Sequence, residues 1–308
     1  MTYTRDSVPD LGGRTAVVTG ANGGLGLETA KVLADKGAHV VMAARDQAKA
    51  QRAVEAIRAG VPDASLEVVQ LDLAAQSSVR SAADSVLASH DHLDLLVNNA
   101  GVMAVPERRT ADGYEMQLGV NHLGHWTLTA LLLPALLRAP SARVVTVTST
   151  AHHFGRPIDP DNPHLHGRYD PWRAYGQSKL ANYHFGLGLQ QRLEVAGAST
   201  MSLIAHPGLS HSDLQTTTVA EGGGGPLGPF FAWLAAHTGM AVDRGALPQI
   251  RAATDPRARG GEFYGPRFGN TGPAVRLPVL RRGNDAAIRT LWEVSERETG
   301  VAIDVGAA

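Results

Sequence analysis

The sequence predicts a doubly wound α/β fold with a central parallel sheet of about seven strands and helices on both faces. Up to residue 205 of the 308 residues, short runs rich in β-branched side chains alternate with amphipathic stretches rich in Ala and Leu. This alternation is typical of successive βαβ units. The short runs are continuously apolar, as expected of strands that are covered on both faces. We find no internal repeat and no interdomain linker, so we expect 1–308 to form a single domain.

Each predicted element follows from these patterns in chain order. The strands are predicted at 15–19, 39–43, 66–71, 93–97, 143–148 and 201–205. The helices are predicted near 24–36, 46–59, 76–89, 112–138 and 173–196, where apolar residues recur at spacings of three and four. The glycine-rich segment 221–229 is predicted to be a hinge or a mobile loop.

Composition excludes several classes of function. The chain has 28 Lys and Arg residues against 29 Asp and Glu residues, so it has no net field to attract nucleic acid or an anionic membrane. It has no cysteine, which excludes disulfide scaffolds, iron–sulfur clusters, thiolate zinc sites and cysteine nucleophiles. The amino terminus lacks the pattern of a signal peptide, and no run of 18 apolar residues occurs. We therefore expect a soluble, cytoplasmic protein without an integral membrane segment.

A glycine-rich turn, TGANGGLG at 19–26, joins the first predicted strand to the first helix. Such a turn lets backbone N–H groups and the positive end of the helix approach a pyrophosphate. Its glycines fit both G-x-x-x-G-x-G and G-x-x-G-x-x-G, and it lacks the Lys-Ser/Thr ending of a P-loop. The alternative is that the glycines serve packing alone. The candidate cofactor contacts of the turn are Gly20, Asn22, Gly23, Gly24, Leu25 and Gly26.

The end of the second strand predicts which dinucleotide is bound. An acidic residue at this place would bind a ribose 2′-hydroxyl, whereas an arginine would pair with a 2′-phosphate. Here Ala44 is followed by Arg45, which favours NADP(H) over NAD(H). The alternative is that Arg45 is only a solvated cation at a strand end.

The order of motifs along the chain resembles that of the short-chain dehydrogenase/reductases. The matching elements are TGANGGLG (19–26), Asp72-Leu73, NNAG (98–101), Asn121, Ser149, Tyr175-x-x-x-Lys179 and Pro207-Gly208. They extend over about two thirds of the chain, and the segments 101–126 and 174–182 look most like the retinol-dehydrogenase-like and protochlorophyllide-reductase-like branch. The resemblance implies a Rossmann fold and NADP(H)-dependent redox chemistry on a lipophilic carbonyl or alcohol.

Four residues are the candidate catalytic set. Tyr175 and Lys179 lie four positions apart on a predicted helix, where the ammonium would lower the pKa of the phenol and let it act as acid and base. Ser149 ends the fifth strand, at the edge where open α/β sheets bind ligands, and can orient a carbonyl oxygen. By resemblance, Asn121 holds a water in a proton relay toward Lys179.

The remaining cofactor contacts come from the resemblance. Asp72 would bracket the adenine, the loop at 98–101 would close the cofactor pocket, and the Pro-Gly turn with Ser212 would meet the nicotinamide amide. Asp72 could instead serve only a turn or a helix start. The full set is Asp72, Leu73, Asn99, Ala100, Gly101, Pro207, Gly208 and Ser212, together with Tyr175 and Lys179.

The sequence predicts no metal ligands, although the chain has 13 histidines. The pairs at 152 and 153, 164 and 166, and 206 and 211 lack a fixed third ligand, and no H-E-x-x-H pattern occurs. The 25 residues between Ser149 and Tyr175 are expected to border the substrate entrance.

The chain is expected to divide into a cofactor-binding and catalytic core at 14–208, a substrate loop or lid at 209–240 and a C-terminal elaboration at 241–308. The apolar lid residues, among them Phe230 and Trp233, could instead form core packing or an oligomer contact in a homodimer or homotetramer. Two other functions stay open: a non-catalytic Rossmann protein that senses NADP(H), and a sugar-nucleotide epimerase of the extended family.

Overall fold

The computed structural model describes residues 2–209, 239–279 and 285–306. The strands are β1 (Thr15–Thr19), β2 (His39–Ala44), β3 (Leu66–Gln70), β4 (Leu95–Asn98), β5 (Arg143–Val147), β6 (Met201–Ala205), β7 (Phe263–Pro266) and β8 (Ala274–Leu277). The helices are α1 (Gly24–Asp35), α2 (Gln47–Gly60), α3 (Gln76–Ser89), α4 (Met116–Leu118), α5 (Gly124–Arg138), α6 (Pro171–Val195), α7 (Val242–Thr254) and α8 (Asp285–Thr299). Short 3-10 turns lie at Arg5–Ser7 and Thr150–His153, and a π-helical segment spans Gly119–Leu123.

The strands form one sheet in the order β3-β2-β1-β4-β5-β6-β7-β8. Strands β1 to β7 are parallel, and β8 pairs antiparallel with β7. The strand order reverses between β1 and β4, which is the point where open α/β sheets bind ligands. The structure thus confirms the doubly wound fold and its parallel sheet. The antiparallel β8 was not predicted; Gly269 and Gly272, at φ 80° and 105°, allow the chain to turn back beside β7.

Local capping explains where two of the helices begin. The Asp46 carboxylate accepts from the backbone N–H of Lys49 at 2.8 Å and starts α2 directly after β2. The Asp170 carboxylate accepts from the N–H of Arg173 at 2.6 Å, and Pro171 occupies the first turn of α6. Both starts lie within two residues of the predicted ones, because capping depends on neighbours in the sequence.

The helix predicted at 112–138 is divided into three parts. The Glu115 carboxylate caps α4 by accepting from the N–H groups of Gln117 at 2.9 Å and Leu118 at 2.6 Å. The π-helical segment then adds one residue per hydrogen-bonded ring before α5 begins at Gly124. Such segments are common at functional sites, and apolar periodicity does not reveal them.

Two apolar layers enclose the sheet. Successive strand residues face opposite sides, so Val17 packs with α3, α5, α6 and α8, whereas Val18 packs with α1, α2 and α7. On the first side, the Trp292 ring of α8 lies 5.0 Å from Trp126 and 5.7 Å from Phe185, measured between ring centroids. This packing holds the carboxyl ends of the parallel strands in place as a platform for the site.

Candidate active site

A cavity of about 1000 Å³ opens at the carboxyl edge of the sheet and brings together nearly all of the predicted site residues. Its lining includes Gly20, Asn22, Gly23, Gly24, Leu25, Gly26, Arg45, Asp72, Leu73, Asn99, Ala100, Gly101, Ser149, Tyr175, Lys179, Pro207 and Gly208. Asn121 is not among the lining residues, and Ser212 lies outside the described residues. The roles of the lining residues in cofactor binding remain predictions.

The glycine turn has a geometry that favours glycine at several positions, among them Gly20, Gly24 and Gly26. Gly20 has φ of 67°, in the left-handed region. A Cβ atom on Gly26 would lie 2.2 Å from the carbonyl oxygen of Gly20, which is far inside van der Waals contact. The turn therefore folds tightly against the start of α1, whose first N–H groups face a site suited to a pyrophosphate. These residues fit a dinucleotide.

Two cations border the cavity beside the end of β2. Arg45 is exposed at the end of β2, and Lys49 lies in the first turn of α2. Asp46 stands between them, but its carboxylate caps α2 through the Lys49 backbone N–H. Sequence reasoning missed Lys49, although its position four residues after Arg45 places it at the same end of the sheet.

Ser149, Tyr175 and Lys179 meet on one wall of the cavity. The Tyr175 hydroxyl is hydrogen-bonded to the Ser149 side chain, and Lys179 Nζ lies 5.8 Å from the centroid of the Tyr175 ring. Ser149 follows β5 and also accepts from the N–H of Ala151 at 3.2 Å, which fixes its side chain at the strand end. Helix α6 presents Tyr175 and Lys179 on one face, as their spacing predicts.

Burial dominates the pKa values of Tyr175 and Lys179. It raises the pKa of Tyr175 to about 12, although the hydrogen bond with Ser149 lowers it. It lowers the pKa of Lys179 to about 8. Removal of both groups from water disfavours both charged forms, and the lowering of the phenol's pKa by Lys179 stays a prediction. At neutral pH, Tyr175 carries its proton.

Asn121 lies behind the cavity wall, in the π-helical segment. Its Oδ1 accepts from the N–H of Val102 at 2.7 Å, and its Nδ2 donates to the Val102 carbonyl at 2.9 Å and to Ser178 Oγ at 2.9 Å. A Cβ atom on Gly101 would lie 2.9 Å from Asn121 Oδ1 and 3.3 Å from Lys179 Nζ, so both groups converge behind Gly101. The Asn121 side chain thus fixes the loop after β4, and its role in a water relay stays a prediction.

His125 is a buried residue of the site that sequence reasoning missed. Its Nδ1 donates to the Asn121 carbonyl at 3.0 Å, and its Nε2 lies 2.9 Å from Thr19 Oγ1. Because a carbonyl can only accept, the proton sits on Nδ1 and Nε2 accepts from the Thr19 hydroxyl. Burial lowers the pKa of His125 to about 4, so the ring is neutral. The position four residues after Asn121 on a helix was the available signal.

Thr19 extends this connection to the loop after β4. Its Oγ1 accepts from the N–H groups of Asn99 and Ala100, both at 2.9 Å. The Asn99 Nδ2 in turn donates to the Thr19 carbonyl at 2.8 Å. The glycine turn, the loop at 98–101 and the π-helical segment are therefore tied together by one buried set of hydrogen bonds.

The segment after Ser149 borders the cavity. Its 25 residues contribute Thr150, Ala151, Phe154, Asp170 and Trp172 to the wall, and its place at a substrate entrance stays a prediction. Tyr169 Oη donates to the buried Glu115 carboxylate at 3.0 Å and thereby joins the segment to the start of α4. Of the predicted lid at 209–240, Leu209 lines the cavity, and residues 210–238, with Phe230 and Trp233, lie outside the described residues.

The histidine pairs noted in the sequence have other partners. His164 Nε2 pairs with Glu298 Oε2 at 3.0 Å, and His206 Nδ1 accepts from the N–H of Gly208 at 3.1 Å. His152 Nδ1 donates to the Ser149 carbonyl at 2.5 Å, and His211 lies outside the described ranges.

Among the helices of the described ranges, none combines the length and the apolar character that a membrane span needs.

Comparison with known proteins places the chain in a family. Residues 14–221 match the family described as short chain dehydrogenase. The chain is 47% identical over 204 residues to retinol dehydrogenase 11 of Mus musculus, covering 66% of this chain and 64% of that protein. It is 34% identical over 293 residues to retinol dehydrogenase 13 of Homo sapiens, covering 94% of this chain and 85% of that protein. The match to the mouse protein thus spans less than two thirds of that relative's length.

Comparison with solved structures agrees with this family assignment. A crystal structure of an uncharacterized protein from Mycobacterium paratuberculosis has a TM-score of 0.81 and 41% identity, covering 99% of this chain and 100% of that chain. An NAD(P)-dependent gluconate 5-dehydrogenase from Beutenbergia cavernae, with bound NADP, has a TM-score of 0.65 and 26% identity, covering 83% of this chain and 96% of that chain. The chain belongs to the short-chain dehydrogenase/reductase family and resembles its retinol dehydrogenases, as the motifs predict.

Proposed function

We propose that the protein is an NADP(H)-dependent oxidoreductase that interconverts a carbonyl and an alcohol on a lipophilic small molecule. The main support is that Ser149, Tyr175 and Lys179 meet on the wall of a cavity that the glycine turn at 19–26 also borders. A proton donor, an orienting hydroxyl and a place for a pyrophosphate share one cavity. This combination suits hydride transfer to a carbonyl.

The chain's own residues handle the substrate oxygen and its proton. A bound nicotinamide would supply the hydride for reduction and accept it for oxidation. The Ser149 hydroxyl would hold the substrate oxygen beside Tyr175, with which it is already hydrogen-bonded. Tyr175, protonated at neutral pH, would give its phenolic proton to that oxygen as the carbonyl carbon receives hydride, so that no free alkoxide accumulates.

Lys179 would stabilise the tyrosinate that remains after this proton transfer. Its Nζ lies 5.8 Å from the ring centroid, and negative charge on the phenol would favour the protonated ammonium. Family resemblance assigns the return of the proton to a relay through Lys179 and a water held at Asn121. The convergence of Asn121 and Lys179 behind Gly101 supports this assignment.

The substrate is proposed to be lipophilic. Met103, Val105, Met116, Phe154 and Trp172 line the cavity, and several relatives are named retinol dehydrogenases. Each methylene that is buried contributes about 0.8 kcal/mol, or roughly fourfold in binding. We therefore expect kcat/KM to rise along a homologous series of aldehydes or ketones, whereas a flat series would contradict an apolar site.

NADP(H) is the proposed cofactor, because Arg45 and Lys49 border the cavity at the end of β2, the last residue of β2 is Ala44 and not an acidic residue, and the Asp46 carboxylate is engaged in capping α2. Paired charge-assisted hydrogen bonds from a guanidinium to a 2′-phosphate are worth roughly 1.5 to 3 kcal/mol each. We expect kcat/KM to favour NADPH over NADH by about tenfold to a few hundredfold. Ala44→Asp combined with Arg45→Ala should reverse this preference. Equal values for the two cofactors at low salt would mean that Arg45 is only a surface cation.

Tyr175→Phe tests the catalytic assignment. Phe keeps the ring but cannot donate a proton, so kcat should fall roughly 10² to 10⁴-fold while NADPH affinity, measured by fluorescence titration, stays nearly unchanged. The matched control is Tyr3→Phe, which removes a hydroxyl that contacts Thr254 at 2.6 Å, outside the cavity lining. Substantial activity in Tyr175→Phe would remove Tyr175 from the mechanism.

The same enzyme assays separate the two other functions. A protein that binds NADPH but turns over no member of a panel of aldehydes, ketones, quinones and steroids would act as a sensor of the cofactor. A protein that retains tightly bound NAD through purification would point instead to epimerase chemistry. Turnover that depends on Tyr175 and on added NADPH would exclude both.

A further inference from the structure

His39, Glu67 and His90 form a cluster near the amino edge of the sheet. His39 begins β2, Glu67 is the second residue of β3, and His90 directly follows α3. One ligand atom from each residue lies within 4.8 Å of the other two. These residues are 28 and 23 positions apart in the chain, so only the folded structure assembles them.

Two of the three separations in the cluster, those from Glu67 to each histidine, are close to those of a metal site. Glu67 Oε2 lies 2.9 Å from His90 Nε2 and 3.4 Å from His39 Nε2. Tetrahedral Zn²⁺ has bonds of about 2.0 to 2.2 Å to imidazole nitrogen and carboxylate oxygen, so its ligand atoms are roughly 3.3 Å apart. Both measured separations are within about half an ångström of that value, a difference that side-chain rotation can absorb. Two imidazoles and one carboxylate are also a known ligand set for zinc.

One imidazole of the cluster already has an outer hydrogen bond. His39 Nδ1 lies 2.7 Å from Ser65 Oγ, on the side of the ring away from Glu67. When Nδ1 donates to that hydroxyl, Nε2 keeps its lone pair toward the cluster. Outer bonds of this kind orient metal-binding histidines and fix their tautomer. The three cluster side chains are 29%, 30% and 15% exposed, so solvent ions can reach them and a water can occupy a fourth position.

We propose that His39, Glu67 and His90 bind a divalent transition-metal ion of the zinc class, with water completing the coordination. The ion would replace the hydrogen bond between His90 and Glu67 and would tie the starts of β2 and β3 to the end of α3. Its role is structural, because β2 runs from His39 to Ala44, and Ala44 lines the cavity at the opposite end. At about 3.3 Å per residue, the two sites are roughly 17 Å apart along the strand.

Metal titration of the full-length protein tests this site. After treatment with a chelator, we expect one equivalent of Zn²⁺ to bind by calorimetry and to raise Tm, and Co²⁺ to give the visible absorption of a four-coordinate site. Glu67→Gln and His90→Gln should each weaken binding at least tenfold. Ser65→Ala should weaken it about tenfold through the lost outer hydrogen bond. Lower pH should also weaken binding, because protons compete for the ligands.

His92→Gln is the matched control, since it makes the same substitution two residues beyond His90, at a side chain that is 51% exposed. It should bind Zn²⁺ like the unaltered protein. The far-UV spectrum and the metal-free Tm show whether each variant is folded, and Ser65→Ala is a conservative variant in case a ligand variant does not fold. Absence of one-to-one binding, or equal affinity in Glu67→Gln and His92→Gln, would overturn the proposal. Zn²⁺ should leave kcat unchanged, so the result is independent of the proposed enzymatic function.

Discussion

Replacing Lys179 by Met is expected to stabilise the protein at neutral pH. Lys179 is fully buried, and burial lowers its pKa from 10.5 to about 8. Its Nζ reaches the Val147 carbonyl at 3.4 Å, but that carbonyl also accepts from Asn182 Nδ2 at 3.0 Å. Methionine has a similar length and no charge. Removal of the ammonium therefore leaves the Val147 carbonyl with a hydrogen bond.

The size and the pH dependence of the effect follow from the pKa of Lys179. Each pKa unit corresponds to about 1.4 kcal/mol, so the fall from 10.5 to about 8 makes the buried ammonium cost about 3 kcal/mol at pH 7. Between pH 8 and 10.5 the unfolded state binds more protons than the folded state, so stability of the unaltered protein rises with pH. The advantage of Lys179→Met should be about 1 to 3 kcal/mol at pH 7 and should vanish toward pH 10.5.

Urea unfolding at pH 7 and at pH 10 measures the difference in free energy of unfolding between Lys179→Met and the unaltered protein. The Tm of the variant should also be higher by several degrees at pH 7. The control is Lys31→Met on α1, which makes the same change at a partly exposed position and should leave the free energy of unfolding nearly unchanged. Because Tyr175 has a pKa of about 12 by burial, it keeps its proton through this range. A Lys179→Met protein that is less stable at pH 7, or an advantage that persists at pH 10, would refute the reasoning. Loss of kcat in the same variant would show that a functional charge is held at a cost in stability.

Three further substitutions test the packing around the site. His125→Phe removes one partner of the Thr19 hydroxyl, which keeps the N–H groups of Asn99 and Ala100, and the imidazole donor to the Asn121 carbonyl, so the free energy of unfolding should fall by about 1 to 3 kcal/mol; an unchanged value in urea would contradict the network. Gly26→Ala places a Cβ 2.2 Å from a carbonyl oxygen and should weaken NADPH binding in fluorescence titration by at least tenfold, whereas unchanged affinity would show that the turn can widen. Arg192→Ala removes a guanidinium 3.8 Å from the centroid of the Trp292 ring and should cost about 0.5 to 2 kcal/mol, with a change in tryptophan emission; an unaltered spectrum would argue against this contact.

Local sequence patterns were sufficient to predict the parallel sheet and the glycine turn. Continuous apolar runs predicted β1 to β6 with bounds that differ by at most a few residues, because strands covered on both faces need such runs. The glycine turn at 19–26 could also be predicted from the sequence, because the steric limits that require Gly20 and Gly26 involve residues close together in the chain. The spacing of Tyr175 and Lys179 placed both on one face of α6 for the same local reason.

Features that depend on contacts between distant parts of the chain could be found only in the folded structure. The pKa of Tyr175 rises because burial outweighs the hydrogen bond with Ser149, and no local pattern predicts that burial. The π-helical segment at 119–123 follows from contacts that hold Asn121 against Val102, and His125 finds Thr19 only across the sheet. The cluster of His39, Glu67 and His90 arises in the same way. Periodicity fixes which residues are buried, whereas the charge and the partners of a buried polar group depend on the three-dimensional packing around it.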